Sequence, residues 1–109
     1  MSISGGYKAK ALKGFTGRDS KTYVADGAVS LSADTVILDG TDATCTMTLA
    51  DGADGQRMSV VCLDSTNACK VTPANFTDGV DLTFTVGEVA DLIFAGGAWV
   101  ALSYTAALA

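Results

Sequence analysis

Residues 44–49 read TCTMTL, and they decide the fold class because apolar and polar side chains alternate in them without a break. In an extended chain the cysteine, the methionine and the leucine lie on one face and the threonines on the other. Residues 82–86, LTFTV, repeat this pattern and place Leu82, Phe84 and Val86 on the inward face. Such alternation in segments rich in β-branched residues is typical of half-buried strands.

Further segments rich in Val, Ile, Leu and aromatic residues extend the prediction. They are residues 34–38, 58–63, 69–72, 90–95 and 99–104, with 24–31 as a weaker candidate. Some of them carry apolar residues at consecutive positions, which favours strands covered on both faces.

Asp-Gly dipeptides separate these segments. They are Asp26-Gly27, Asp39-Gly40, Asp51-Gly52, Asp54-Gly55 and Asp78-Gly79, and the first three recur at intervals of 13 and 12 residues. Asp and Gly both tolerate the positive φ that tight hairpin turns require. The sequence therefore predicts an all-β fold without helices, an antiparallel β-sandwich or small barrel of seven to eight short strands, with no internal repeat longer than the turn spacing.

The composition of the 109 residues excludes several kinds of chemistry. The chain contains no histidine, one proline and three cysteines, so His-based acid–base catalysis, Ser-His and Cys-His nucleophiles and His-containing metal sites are excluded. Five of the twelve carboxylates lie in Asp-Gly turns, where hydrogen bonds to nearby backbone amides explain them. Residues 51–55 lack the ligand spacing of an EF-hand loop. We expect a protein that is not an enzyme and holds no cofactor and no metal.

The cysteines allow two interpretations. In a reducing compartment Cys45, Cys62 and Cys69 are most simply small buried hydrophobic residues. Cys62 and Cys69 also flank the turn-like residues 63–68 and would face each other across a hairpin, so a disulfide between them stays open.

Charge divides the chain into an arm and a body. Residues 1–21 hold five basic side chains and one acid, a balance of +4, whereas residues 22–109 hold two basic side chains and eleven acids, a balance of −9. We expect a basic and aromatic N-terminal arm, residues 1–23, that is ordered only against a partner, and a β-structured body, residues 24–109. No apolar run approaches the roughly eighteen residues of a membrane helix, and lysines occupy the place of a signal-peptide core. We therefore expect no membrane association and synthesis in the cytoplasm.

The arm interleaves aromatic and basic side chains and is the predicted partner-binding site. These residues are Tyr7, Lys8, Lys10, Lys13, Phe15, Arg18, Lys21 and Tyr23. Aromatic and cationic side chains can bind single-stranded nucleic acid, but the acidic body would repel a phosphate backbone. A protein partner fits better, because aromatic residues and Arg are favoured anchors of protein interfaces. An ordinary solvated N-terminus is the remaining interpretation.

The apolar composition favours assembly into oligomers. Apolar residues make up 49% of the chain and charged residues 17%, and the mean hydropathy is +0.34. A small domain of this composition gains stability by closing an interface with further copies.

Residues 35–102 resemble a known group of proteins. The resemblance lies in an alternating strand followed by a turn, then Gly-Gln-Arg at 55–57, Val-Thr-Pro at 71–73, and Gly-Gly-Ala-Trp-Val-Ala-Leu at 96–102. This pattern is similar to the small β-structured virion proteins of tailed bacteriophages, namely capsid decoration (cement) proteins and the β modules of tail fibres.

The resemblance implies a homotrimer in the virion that acts by binding rather than by catalysis. It would sit on the major capsid protein at the capsid surface, with the arm clamping neighbouring capsid subunits and stabilising the assembled head. A length without room for a shaft favours the decoration protein, and a tail-fibre or receptor-binding module is the alternative. The oligomer number and the capsid surface occupied stay open.

Overall fold

The structure, a computed structural model, describes residues 19–108, and in this range the chain forms ten β-strands and no helix. The strands are β1 Ser20–Tyr23, β2 Gly27–Ala28, β3 Thr35–Asp39, β4 Cys45–Leu49, β5 Arg57–Asp64, β6 Cys69–Pro73, β7 Leu82–Phe84, β8 Val89–Ala95, β9 Ala98–Tyr104 and β10 Ala107–Leu108. Residues 19–108 thus include no helix with the length and hydropathy needed to cross a membrane.

The strands form two five-stranded sheets that pack face to face. Sheet I has the order β9-β8-β5-β3-β1, and sheet II has the order β10-β7-β6-β4-β2. From β1 to β6, successive strands alternate between the two sheets, so β1, β3 and β5 are parallel, as are β2, β4 and β6. The chain therefore winds as a flattened coil of three turns, which antiparallel strands β7–β10 complete at one end.

The second and third turns of the coil are a structural repeat of 24 residues. Thr35 pairs with Ser59 in sheet I, and Cys45 pairs with Cys69 in sheet II, so both sheets have the same offset. Residues 35–38 and 45–49 consequently occupy places equivalent to those of residues 59–62 and 69–73, and a bulge at the corner between them pairs Asp39 with Asp64. The prediction of no repeat beyond the turn spacing was wrong, because the paired strand positions of the two turns share polarity more than residue identity.

The predicted strand segments are confirmed, whereas the prediction that hairpins connect them into antiparallel sheets was wrong. The fold is all-β with two packed sheets, but it is not a closed barrel, it has ten strands rather than seven to eight, and each sheet is mixed rather than antiparallel. The reason lies in the turns, since Asp39-Gly40 and Asp51-Gly52 connect strands of opposite sheets. Neither of these glycines has a positive φ. Gly96 and Gly97 form a hairpin turn between β8 and β9, with φ values of 64° and 89°.

One apolar core fills the space between the sheets. Trp99 is completely buried, donates a hydrogen bond from Nε1 to the Ala50 carbonyl oxygen at 2.9 Å, and packs edge-to-face on Phe94 with ring centroids 5.3 Å apart. No charged or polar side chain is buried within residues 19–108. Leu82 and Phe84 lie inward as predicted, but Val86 does not, because β7 ends at Phe84 and Val86 lies in the following turn.

The C-terminal residues of the described range join the fold. Ala107 and Leu108 form β10, which pairs with Thr83 and Leu82 of β7. Leu108 also packs against the core, so the end of the described chain adds an edge strand to sheet II.

Candidate interaction surface

The predicted arm is described only at its C-terminal end. Tyr7, Lys8, Lys10, Lys13, Phe15 and Arg18 lie outside the described residues. Lys21 and Tyr23 belong to β1, which pairs with β3 at the edge of sheet I. The boundary after residue 23 and the role of these side chains in partner binding stay predictions.

Tyr23 and Lys21 share the core-facing side of β1. Tyr23 is half-buried against the core, and its hydroxyl oxygen accepts a hydrogen bond from the Ser30 amide at 2.8 Å. Lys21 pairs in register with the buried Val36 but is itself exposed, and its Nζ lies 3.8 Å from an Asp19 carboxylate oxygen. A cation on the inner side of an edge strand discourages the addition of further strands there.

The two sheets present different outer faces. The face of sheet II that points away from the core is hydroxyl-rich. It carries Thr46, Thr48, Lys70, Thr72 and Thr83 at successive outward positions of β4, β6 and β7. Lys70 pairs with Asp81 at 3.5 Å, and the Thr72 hydroxyl donates to Asp81 at 2.6 Å. This outer face is suited to contact with water.

The outer face of sheet I is instead crossed by an apolar row. Ile37, Val61 and Val89 lie side by side on β3, β5 and β8, because Ile37 pairs with Val61 and Val61 with Val89. All three are half-buried or exposed. The row continues to Leu63, the next outward residue of β5, which is 57% exposed.

A polar row runs beside this apolar row and ends in a groove. Ser59 donates a hydrogen bond to one carboxylate oxygen of Asp91 at 2.6 Å, and Ser103 donates to the other at 3.1 Å. A bulge in β9 at Leu102 opens a groove of about 360 Å³ beside these side chains, and Arg57 also lines it. Asp91 is thereby held in one orientation at the centre of the face.

A second apolar row completes the outer face of sheet I. Ile93 of β8 lies between Arg57 of β5 and Val100 of β9. The middle of this face therefore carries one cation, Arg57, and one anion, Asp91. In contrast, residues 19–108 as a whole hold three basic and twelve acidic side chains, a balance of −9. This face combines apolar rows with balanced charge.

The acidic turns are explained by their own hydrogen bonds. Asp26 accepts hydrogen bonds from the Thr46 amide and the Thr44 hydroxyl, both at 2.8 Å, and the pKa of Asp26 is lowered by the amide first and the hydroxyl second. The Thr66 amide in the same way lowers the pKa of Asp64. Within residues 19–108 no group of three His, Cys, Asp or Glu side chains is arranged to hold a metal ion.

The three cysteines are free thiols in the core. Cys62 lies on β5 of sheet I and Cys69 on β6 of sheet II, so they flank a connection between sheets and not a hairpin. Burial raises the pKa of Cys69 to about 12, and the neighbouring Cys62 thiol adds to the rise. Burial likewise raises the pKa of Cys45. The Cys69 and Cys45 thiols are therefore protonated at neutral pH and weak nucleophiles.

The sequence indicated that some strands have apolar side chains on both faces, but it did not show that these strands lie side by side in sheet I. Consecutive apolar residues in 58–63 and 90–95 predicted strands covered on both faces, and both segments lie in sheet I. The strictly alternating segments became β4 and β7, which lie in sheet II. No protein-family model and no curated protein matches this sequence.

Proposed function

We propose that this protein is a viral structural protein that decorates and stabilises the assembled head of a tailed bacteriophage. It acts by protein–protein contact, as an oligomer whose basic N-terminal arm binds the major capsid protein. The observation that carries the proposal is the outer face of sheet I, whose apolar rows have no cover within residues 19–108.

Burial of this face supplies a driving force for assembly. Ile37, Val61, Val89 and Leu63 are all partly exposed, and full burial of such a side chain stabilises by about 1.5–3 kcal/mol relative to full exposure. Partial burial of the set therefore contributes several kcal/mol per copy. An assembled oligomer presents several arms to a lattice of equivalent sites, so modest single contacts add up through avidity.

The capsid as the partner is supported by the resemblance of residues 35–102 and by the charge of the arm. Residues 1–18 contain four basic side chains and no acid, whereas the rest of the chain is acidic. A cationic segment that precedes an anionic body is suited to an acidic protein surface that the body itself would avoid. A homotrimer is the assembly that the resemblance implies.

The test is co-sedimentation of the purified full-length protein with purified tailed-phage heads. We expect the protein to sediment with the heads and the triple variant K8E/K10E/K13E to bind at least about tenfold more weakly. The control D42K/D54K changes the charge of the body by +4, where the triple variant changes that of the arm by −6, and it should bind no more weakly than the parent does. No binding of the full-length protein to heads, or equal binding by the triple variant, would contradict the decoration role.

The coiled topology favours the tail-fibre module as second candidate. Turns that stack at a fixed offset of 24 residues are the building principle of elongated β-structures, in which each turn contacts its neighbours. A fibre or receptor-binding module predicts binding to host-cell surface glycans or proteins and none to heads. Parallel binding assays with intact host cells and with heads separate the two candidates.

A further inference from the structure

We propose that the outer face of sheet I binds the same face of a second copy of this chain, with Arg57 of each copy paired to Asp91 of the other. Such a contact is isologous and closes as a dimer, in place of the homotrimer that the resemblance implies. This inference rests on the proposed function, because it names the partner of the face that carries it. The partner is a second copy and not the capsid, which leaves the arm as the part that contacts the capsid.

Charge selects the occupant of this face. Two copies of a body with a balance of −9 repel each other over most of their surfaces. In the middle of the outer face of sheet I, Arg57 and Asp91 balance, and the residues around them are apolar or uncharged. Two copies can therefore approach on this face without like-charge repulsion. Lys70 and Asp81 also balance on the outer face of sheet II, but the outward residues of its strands are threonines and not apolar side chains.

The two charged residues are arranged to pair between copies. Arg57 stands opposite Ile93 and Asp91 opposite Ser59, so they lie two residues apart along neighbouring strands, a diagonal separation of roughly 7–8 Å between Cα atoms. The ion pairs among residues 19–108 do not include Arg57. A copy that turns its sheet I toward another can therefore set its own Arg57 against Asp91 of that copy.

Asp91 is prepared to receive a guanidinium group. Ser59 and Ser103 each donate one hydrogen bond to a different carboxylate oxygen, and each oxygen keeps a free lone pair. The groove of about 360 Å³ beside Asp91 offers space for an incoming side chain. Exclusion of water by the flanking apolar rows, with Val61 and Val89 on one side and Ile93 and Val100 on the other, strengthens such an ion pair.

Charge reversal with a matched control tests the inference on the full-length chain. Sedimentation equilibrium gives the mass and dissociation constant of the parent protein, R57D, D91R and R57D/D91R. The control K70D changes the charge by the same amount on the outer face of sheet II. Thermal unfolding followed by circular dichroism verifies that each variant is folded. If D91R does not fold, the comparison of R57D with K70D tests the inference.

We expect the parent and K70D to assemble at micromolar concentration. R57D and D91R should raise the dissociation constant at least about tenfold, and R57D/D91R should restore it to within about threefold of the parent value. A monomeric parent at about 100 µM, equal effects of R57D and K70D, or no restoration by R57D/D91R would each overturn the pairing.

The outcome is separable from that of the head-binding assay. A monomeric protein that sediments with heads refutes the pairing and leaves the decoration role standing. If the parent assembles, R57D/D91R assembles again, and the protein binds no heads, the pairing is supported and the decoration role is refuted.

Discussion

Glycine is required at position 40 because two turns of the coil stack there, and not because of the turn type. Its amide donates a hydrogen bond to the Asp64 carbonyl oxygen and its own carbonyl accepts one from the Asn67 amide, both at 2.8 Å. A Cβ at this position would collide with the Asn67 carbonyl oxygen and lie 3.0 Å from the Cys69 Sγ. Gly40 has no positive φ. Glycine is required here because two corners of the coil touch.

Gly40→Ala should therefore destabilise the protein by about 1–3 kcal/mol, the usual range for forcing an extra methyl group into a packed site. The matched control is Gly27→Ala, in another Asp-Gly pair, where a Cβ would meet only the end of Met47 at 3.7 Å. That control should change the free energy of unfolding by less than about 0.5 kcal/mol. Urea unfolding of the two variants measures both values, and equal stabilities would contradict the account of the corner.

Cys69 makes stability depend on pH on the alkaline side. Its pKa is raised from 9.0 to about 12, first by burial, so the thiol loses its proton more readily in the unfolded chain than in the folded one. The stabilisation is complete below about pH 9 and decreases as the pH rises through the folded pKa. We expect the urea midpoint of the parent to fall between about pH 8 and about pH 10.5.

The control for this prediction is Cys69→Ala, which removes the titrating group. Its urea midpoint should fall less over the same pH interval, although its stability at neutral pH is lower because a buried side chain is shortened. An equal slope against pH in the parent and in C69A would show that other groups cause the alkaline loss.

At the scale of the element, strands were predictable where side-chain periodicity alone defines them. The alternation of apolar and polar residues predicted β4 and β7, and the longer apolar segments predicted β5, β8 and β9. β1 and β10 were missed as strands. β1 reads SKTY with three exposed side chains, and β10 has two residues, so each forms through pairing with a neighbouring strand.

The pairing of the strands was not predictable from the same periodicity. Alternation determines which side chains face the core, but it is identical for a parallel and an antiparallel neighbour. Asp and Gly are equally suited to a hairpin and to a corner between two sheets, and the hairpin interpretation produced the antiparallel prediction. The proposed site was not predictable for the same reason, because Arg57 and Asp91 come together only through the pairing of β5 with β8.

At the scale of the whole molecule, the coil separates two tasks between its faces. Sheet II turns hydroxyl groups outward and sheet I turns apolar rows outward, while both contribute inward residues to one core. The 24-residue offset keeps each inward residue of one turn beside the equivalent inward residue of the next, as with Val36 and Val60. Neighbouring turns are therefore interchangeable in geometry although they differ in sequence.

This interchangeability predicts that the coil accepts an additional turn. A duplicate of residues 35–58 inserted after Met58 adds one offset of 24 residues, so every inward side chain again meets an inward side chain. We expect the longer protein to unfold in one cooperative transition, with a urea m-value larger by roughly a fifth, since m scales with the surface exposed on unfolding. The coil should lengthen by about 5 Å, the spacing of adjacent strands, in small-angle X-ray scattering.

The control inserts a duplicate of residues 36–58, which is one residue shorter. A shift of one residue turns the inward side chains of a strand to the outer face, so this variant should lose cooperative unfolding or leave the insert unfolded with an unchanged m-value. Equal m-values and equal amide exchange protection of the two inserts would show that the added turn does not join the sheets. A larger m-value for the 24-residue insert alone would establish the turn of the coil as the unit from which this protein is built.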